Sequence, residues 1–231
     1  GESGLDGAEL PEPTTPIDGT DAVSFIVDTC RRDEGIWLVP VGPLTNIALA
    51  LRTAPDLADR IGGISLMGGG TFGNRNAHGE FNIWADPEAA RIVFDYGGPL
   101  SMAGLDVTYQ FQATPDRIDR IAEVPGALAA LFAQLLGFFT DNYVSRHEPG
   151  AIQGAVVHDP LAVFALTHPE HFRSVRRHVD VETSGELTRG MTVIDERRLL
   201  GRSAPNCEVL IDVDDQPVFD LLVDAIAHFS R

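Results

Sequence analysis

The feature that most constrains this chain is one grammar repeated through its first half: a short apolar run, a turn of small or polar residues, then a helical period. GIWLVPVGPLTNIALALR has an apolar run from Ile36 to Val41, a Gly-Pro turn, and Ile47, Leu49, Ala50 and Leu51 at helical spacing. GGISLMGGG is a strand, Ile64 to Met67, that ends in three glycines. DPEAARIVFDYGG opens a helix with Asp86 as cap and Pro87 at the first position. GGPLSMAGLDVT is another strand, and TPDRIDRIAEV repeats the cap-then-proline opening with Thr114 and Pro115. Strands that alternate with helices at this spacing predict an α/β fold with a mostly parallel open sheet flanked by helices. A helix is expected over about 127–143, then β-rich segments at 175–183, 191–195 and 208–213, and a closing amphipathic helix through Val218, Leu221, Leu222 and Phe229.

Open parallel sheets bind ligands beyond the carboxyl ends of their strands. Four polar groups follow strands here: Thr45 with Asn46, Met67 with Gly68 to Gly70 and the loop beyond, Asp106 with Thr108, and His158 with Asp159. In the loop after the glycines, Asn74, Asn76, Glu80 and Asn82 crowd together before a helix. Amides donate and accept while a carboxylate only accepts, so such a loop can read several hydroxyls at once, with Phe81 as apolar surface. Asparagine also suits turns, which would make the same loop merely solvated. In AVVHDPLAVFAL, Asp159 before Pro160 reads as a helix cap. A cap leaves His158, a second group that is costly to bury, without a reason.

Composition excludes several classes. The net charge of −17 opposes nucleic acid as a partner, because phosphate binding relies on clustered basic residues. All 17 basic residues are Arg, so Schiff-base and phosphate-cradling lysine chemistry is ruled out. A Mg²⁺ phosphohydrolase is disfavoured for the same reason and because the aspartates are not clustered. No apolar run is expected to reach the roughly 18 residues of a membrane span. The opening GESGLDGAELPEP is not a signal peptide, so the cytoplasm is the expected compartment. Cys30 and Cys207 lie outside any paired motif and read as buried small hydrophobes.

The segments VPVGPLTNIALALR, ISLMGGG, GNRNAHGEFNIWADPEAARIVF, GLDVT, VVHDPLAV and NCEVLIDVD together resemble the inosine–uridine-preferring nucleoside hydrolases, from about residue 1 to 229. The resemblance implies one nucleoside-hydrolase-like domain over 1–231 that splits a ribonucleoside into ribose and free base with the help of Ca²⁺. It implies that Asp159 and the Thr45 main-chain carbonyl bind the calcium. Asn74, Glu80 and Asn82 would hold the ribose, Met67 and Phe81 would line its pocket, and His158 would assist the departing base.

The family's opening aspartate cluster has no counterpart in this sequence. The resemblance therefore implies the C-terminal portion of a longer enzyme, lacking the first strands of the sheet and with an incomplete calcium site. A homo-oligomer, or association with the missing N-terminal segment, is the expected assembly; neither a membrane nor a nucleic acid is expected as a partner. The alternative from another class is a noncatalytic ribose-binding or assembly module on the same fold. The preferred base stays open.

Overall fold

The computed structural model describes residues 5–197 and 203–230. The first half alternates as expected through α1 (Ala22–Arg32), β1 (Trp37–Leu38), α2 (Thr45–Thr53), β2 (Gly63–Met67), α3 (Phe81–Ala85), α4 (Pro87–Phe94), β3 (Leu100–Ala103) and α5 (Leu105–Thr108). It continues with β4 (Gln112–Ala113), α6 (Pro115–Ala122), α7 (Ala127–Val144), β5 (Ala155–Val156) and α8 (Pro160–Thr167). The last stretch holds β6 (Phe172–Arg177), β7 (Val179–Val181), β8 (Thr192–Ile194), β9 (Cys207–Val213) and α9 (Asp215–Phe229). These elements fall into two compact units, one of residues 18–108 and 158–213, the other of residues 5–17, 109–157 and 214–230.

The first unit holds a five-stranded sheet in the order β1-β2-β3-β9-β6. The pairs β1–β2, β2–β3 and β3–β9 are parallel, and β6 adds to β9 antiparallel. The mostly parallel sheet flanked by helices is thus present. Every residue of β2 is buried, as a central parallel strand covered on both faces requires. Ile64, Leu66 and Met102 from the sheet join Leu44, Leu57 and Phe94 in one apolar core.

β1 is shorter than the apolar run Ile36 to Val41 predicts. Pro40 has no N–H to give a ladder, so pairing stops at Leu38, although its carbonyl still accepts the Met67 N–H at 3.0 Å. The Asp86 cap is formed as expected, its Oδ1 accepting the Ala89 N–H at 3.0 Å ahead of a helix that starts with Pro87. Helix α8 lies on β2 and β3, and the buried Ser65 hydroxyl donates to the Ala162 carbonyl at 2.7 Å, fixing its first turn. Cys30 and Cys207 are buried free thiols.

In the second unit α7 packs against α6, α9 and β5. Arg117 pairs with Asp215 at 2.6 Å and lies 4.8 Å over the Phe219 ring, joining α6 to α9. Thr114 precedes α6 as expected, but its side chain makes no capping hydrogen bond. The expectation about apolar runs is corrected here. Among the described residues α7, 18 residues with Asp141 as its one charge, is long and apolar enough by length and composition to cross a membrane. It exposes Phe132 and Phe139.

Leu66, the fourth residue of β2, has no exposed surface, so Leu66→Ala should cost the sheet about 2–5 kcal/mol. Urea unfolding checks this; a loss well under about 1 kcal/mol would place the core elsewhere.

Candidate functional site

The site begins where β2 ends. After Met67 the chain turns through Gly68, Gly69 and Gly70, and Gly69 sits at φ +75°, a conformation that side chains rarely adopt. A Cβ there would lie 2.7 Å from Thr192 Cγ2, so glycine is required for both backbone and space. The loop then returns so that Glu80 caps α3.

Glu80 is only 2% exposed and is the most constrained polar group in the loop. Its Oε2 accepts the N–H groups of Gly69 at 3.1 Å, Asn82 at 2.9 Å and Ile83 at 3.2 Å. Oε1 receives none of these three bonds. Asn82, 7% exposed, donates from Nδ2 to the Met67 carbonyl at 3.1 Å and contacts Met67 Sδ at 3.3 Å. Asn74 accepts the Phe81 N–H at 2.9 Å, and Phe81 leaves half its surface exposed. Asn76 is consumed by the turn itself, accepting from His78 and Gly79 at 2.9 and 2.7 Å. Turn chemistry thus accounts for one of the four polar residues; Glu80 and Asn82 are buried and Asn74 is exposed beside them.

Asp159 stands before Pro160 as expected, yet its carboxylate makes no capping hydrogen bond to α8. Helix capping therefore does not explain it. Burial raises the Glu80 pKa above the usual carboxylate range, with backbone donors pulling it down and the nearby Asp159 charge pushing it up further. Asp159, though exposed at its surface, is also raised by desolvation from the surrounding protein. One carboxylate outside a helix cap suits Ca²⁺ as a single ligand, but the ion takes about 6–8 oxygens. Among the described residues no group of three or more His, Cys, Asp or Glu gathers to hold a metal.

His158 Nδ1 lies 2.8 Å from the hydroxyl of Thr108, which is fully buried at the end of α5. Burial depresses the imidazole to about 4, so the ring is neutral at pH 7. Both residues flank strand ends that the sequence marks for inspection, but the pairing itself is not legible there. Asp106 is likewise explained by structure: it accepts the Thr71 N–H at 2.8 Å and also the Thr71 hydroxyl.

The structure thus brings Met67, Glu80 and Asn82 together by hydrogen bonds and ties Asn74 to Phe81, while no described hydrogen bond joins Asp159 to them. Thr45 is different. It opens α2 and its hydroxyl donates to Asp86 at 2.5 Å, and no described contact joins it to Glu80 or Asp159. Thr192, which sequence reading passed over as part of a β-rich segment, reaches the glycine turn directly.

The whole chain is 43% identical to a protein described as pyrimidine-specific ribonucleoside hydrolase RihA from Enterobacter sp. (strain 638), covering 73% of that relative. The likeness to RihA of Escherichia coli (strain K12) is also 43%, over all of this chain and 74% of that one. Among solved structures, a purine-preferring ribonucleoside hydrolase from Gardnerella vaginalis superposes with a TM-score of 0.88 at 33% identity, covering 98% of this chain and 71% of its own. A family model described as inosine-uridine preferring nucleoside hydrolase matches residues 1–220.

The part-buried His158 also makes a pH prediction. The unfolded chain takes up this proton as pH falls below about 6.5, whereas the folded protein resists until about 4. Its contribution is therefore intact above the upper value and lost between the two, by up to about 3 kcal/mol. Urea unfolding of the parent and His158→Gln at pH 7 and pH 4.5 should show the parent losing more stability on acidification. Parallel losses would mean that the ring is solvated or already charged.

Proposed function

Since this chain belongs to the inosine-uridine preferring nucleoside hydrolase family, we propose that it hydrolyses the N-glycosidic bond of ribonucleosides, releasing ribose and a free base. What carries this reading is the frame around Glu80, where one buried carboxylate is locked by three backbone donors beside Asn82 and Asp159.

In the proposed reaction water attacks the anomeric carbon, the bond to nitrogen breaks, its electron pair leaves on the base, and the proton that the water sheds ends on that base. Positive charge gathers on the sugar ring, as in glycoside hydrolysis. Glu80 and Asn82, with Asn74 at the rim, hold the sugar hydroxyls, and rigid placement of this kind is worth several kcal/mol. Met67 and Phe81 give the ring apolar walls. His158, its Nδ1 held by the Thr108 hydroxyl, serves the leaving base. A neutral ring acts there first as a hydrogen-bond donor to the developing negative charge.

We assign Ca²⁺ to Asp159, with the main-chain carbonyl of Thr45 as a second oxygen donor. A cation bound there would orient hydroxyls and acidify water. For the base, the substrates named for the relatives above differ, so both inosine and uridine belong in the test.

Release of reducing sugar from inosine and uridine by the full-length protein is the direct assay. His158→Ala is expected to lower kcat about 10²-fold or more, and Glu80→Gln to raise KM. A calcium chelator should abolish turnover and added Ca²⁺ restore it. Wild-type protein that binds ribose in calorimetry but releases none from either nucleoside would instead favour a noncatalytic ribose-binding module. Unchanged kcat in His158→Ala would remove the imidazole from the chemistry.

A further inference from the structure

Four consecutive residues, Arg189 to Thr192, run along the stretch from Gly70 to α4 that contains Glu80. Arg189 clasps Glu88 of α4 with two hydrogen bonds, Nη1 to Oε1 at 2.6 Å and Nη2 to Oε2 at 2.8 Å. Gly190, at φ +87°, lies so close to α3 that a Cβ would fall 2.7 Å from Trp84 Cα. Met191 pairs with Gly79 through an isolated antiparallel bridge. Thr192, 2% exposed, takes the Gly70 N–H on its Oγ1 at 2.9 Å and gives its own proton to the Gly70 carbonyl at 2.7 Å.

This last contact is unusual in kind. One hydroxyl satisfies both the donor and the acceptor of a single peptide residue, doing at Gly70 what a strand partner would do. Gly70 follows Gly69, whose N–H donates to Glu80 Oε2. A glycine turn is conformationally permissive, so something outside it must choose one of its states. The backbone of Ala103 and Leu105 holds Gly68 and Gly69 at 3.2 and 2.8 Å, and at Gly70 the side chain of Thr192 takes over, with its methyl filling the space beside Gly69. Its own position is set by β8, which pairs with β7 through Val181 and Thr192.

We propose that Thr192 is a positioning residue: through Gly70 and Gly69 it holds the Glu80 carboxylate in the orientation that reads the sugar. The role rests on the sugar-binding assignment of Glu80 made above, but the clasp itself can be tested without it. Thr192 touches no substrate in this account. It acts on affinity by limiting the states of the turn.

The variants are Thr192→Val, which keeps the shape and removes the hydroxyl, and Thr192→Ser, which restores it. Thr140→Val is the control for loss of a buried hydroxyl as such, since Thr140 Oγ1 donates to the Ala113 carbonyl and accepts the Ala155 N–H, both at 3.1 Å, in the other unit. With inosine or uridine, Thr192→Val should raise KM about tenfold while kcat stays within about threefold, and Thr192→Ser should return KM to within about twofold of wild type. Thr140→Val should lose stability with KM unchanged. Hydrogen exchange is read in parallel: amides of residues 68–83 should exchange faster in Thr192→Val but not in Thr192→Ser or Thr140→Val.

Unchanged KM in Thr192→Val, in a wild-type background that turns over, would overturn the positioning role and leave the hydrolase reading standing. So would exchange over 68–83 that matches wild type. Should wild type neither turn over nor bind ribose, the sugar-binding assignment of Glu80 fails, and with it the positioning role. Faster exchange in Thr192→Val would then record the clasp alone.

Discussion

Three backbone N–H groups converge on one oxygen of a buried carboxylate, and the rest of the proposed site is arranged around that fact. Taking a carboxylate out of water is costly unless donors replace the lost hydration. Gly69, Asn82 and Ile83 supply those donors from two directions, the turn after β2 and the first turn of α3. The same oxygen thus caps a helix and pins a glycine turn. Removing either would leave buried donors unmatched, so the loop between them closes as a unit.

Electrostatics gives this local solution a chemical direction. The donors favour the charged form of Glu80, burial and the neighbouring Asp159 oppose it, and burial prevails. Asp159 occupies a capping position without capping, and His158 beside it is held neutral while bonded to a buried threonine hydroxyl. Groups whose environments disfavour their ordinary charge states, near the carboxyl edge of a parallel sheet, are what makes this edge the candidate site.

Much of the fold was legible in the sequence because its signals are local. Alternating runs and the Asp86-Pro87 opening predict elements that form close to where they are expected. The shortened β1 follows from Pro40, a signal that was present but outweighed by apolar character. The candidate residues were legible by position, since polar side chains just after strands are conspicuous. Their partners were not. That Asn76 serves the turn and Glu80 the cap is decided within three residues, but a loop crowded with polar side chains does not show which of them is used locally, whereas the meeting of Thr108 with His158 spans 50 positions. Thr192 is the extreme case, 122 positions from the Gly70 it holds, within a segment whose pattern reads only as strand. The apolar character of α7 was underestimated because isolated polar residues break its run without making the helix polar.

The central claim is that Glu80, Asn82, Asn74 and Asp159 face one bound sugar and its cation. A crystal structure of the protein soaked with ribose and Ca²⁺ measures this most directly. Sugar hydroxyls within hydrogen-bond distance of Glu80 and Asn82, with the ion on Asp159, are the predicted result. Well-ordered ribose seated elsewhere, with Glu80 touching only its three backbone donors, would contradict the claim and leave Glu80 a purely structural cap.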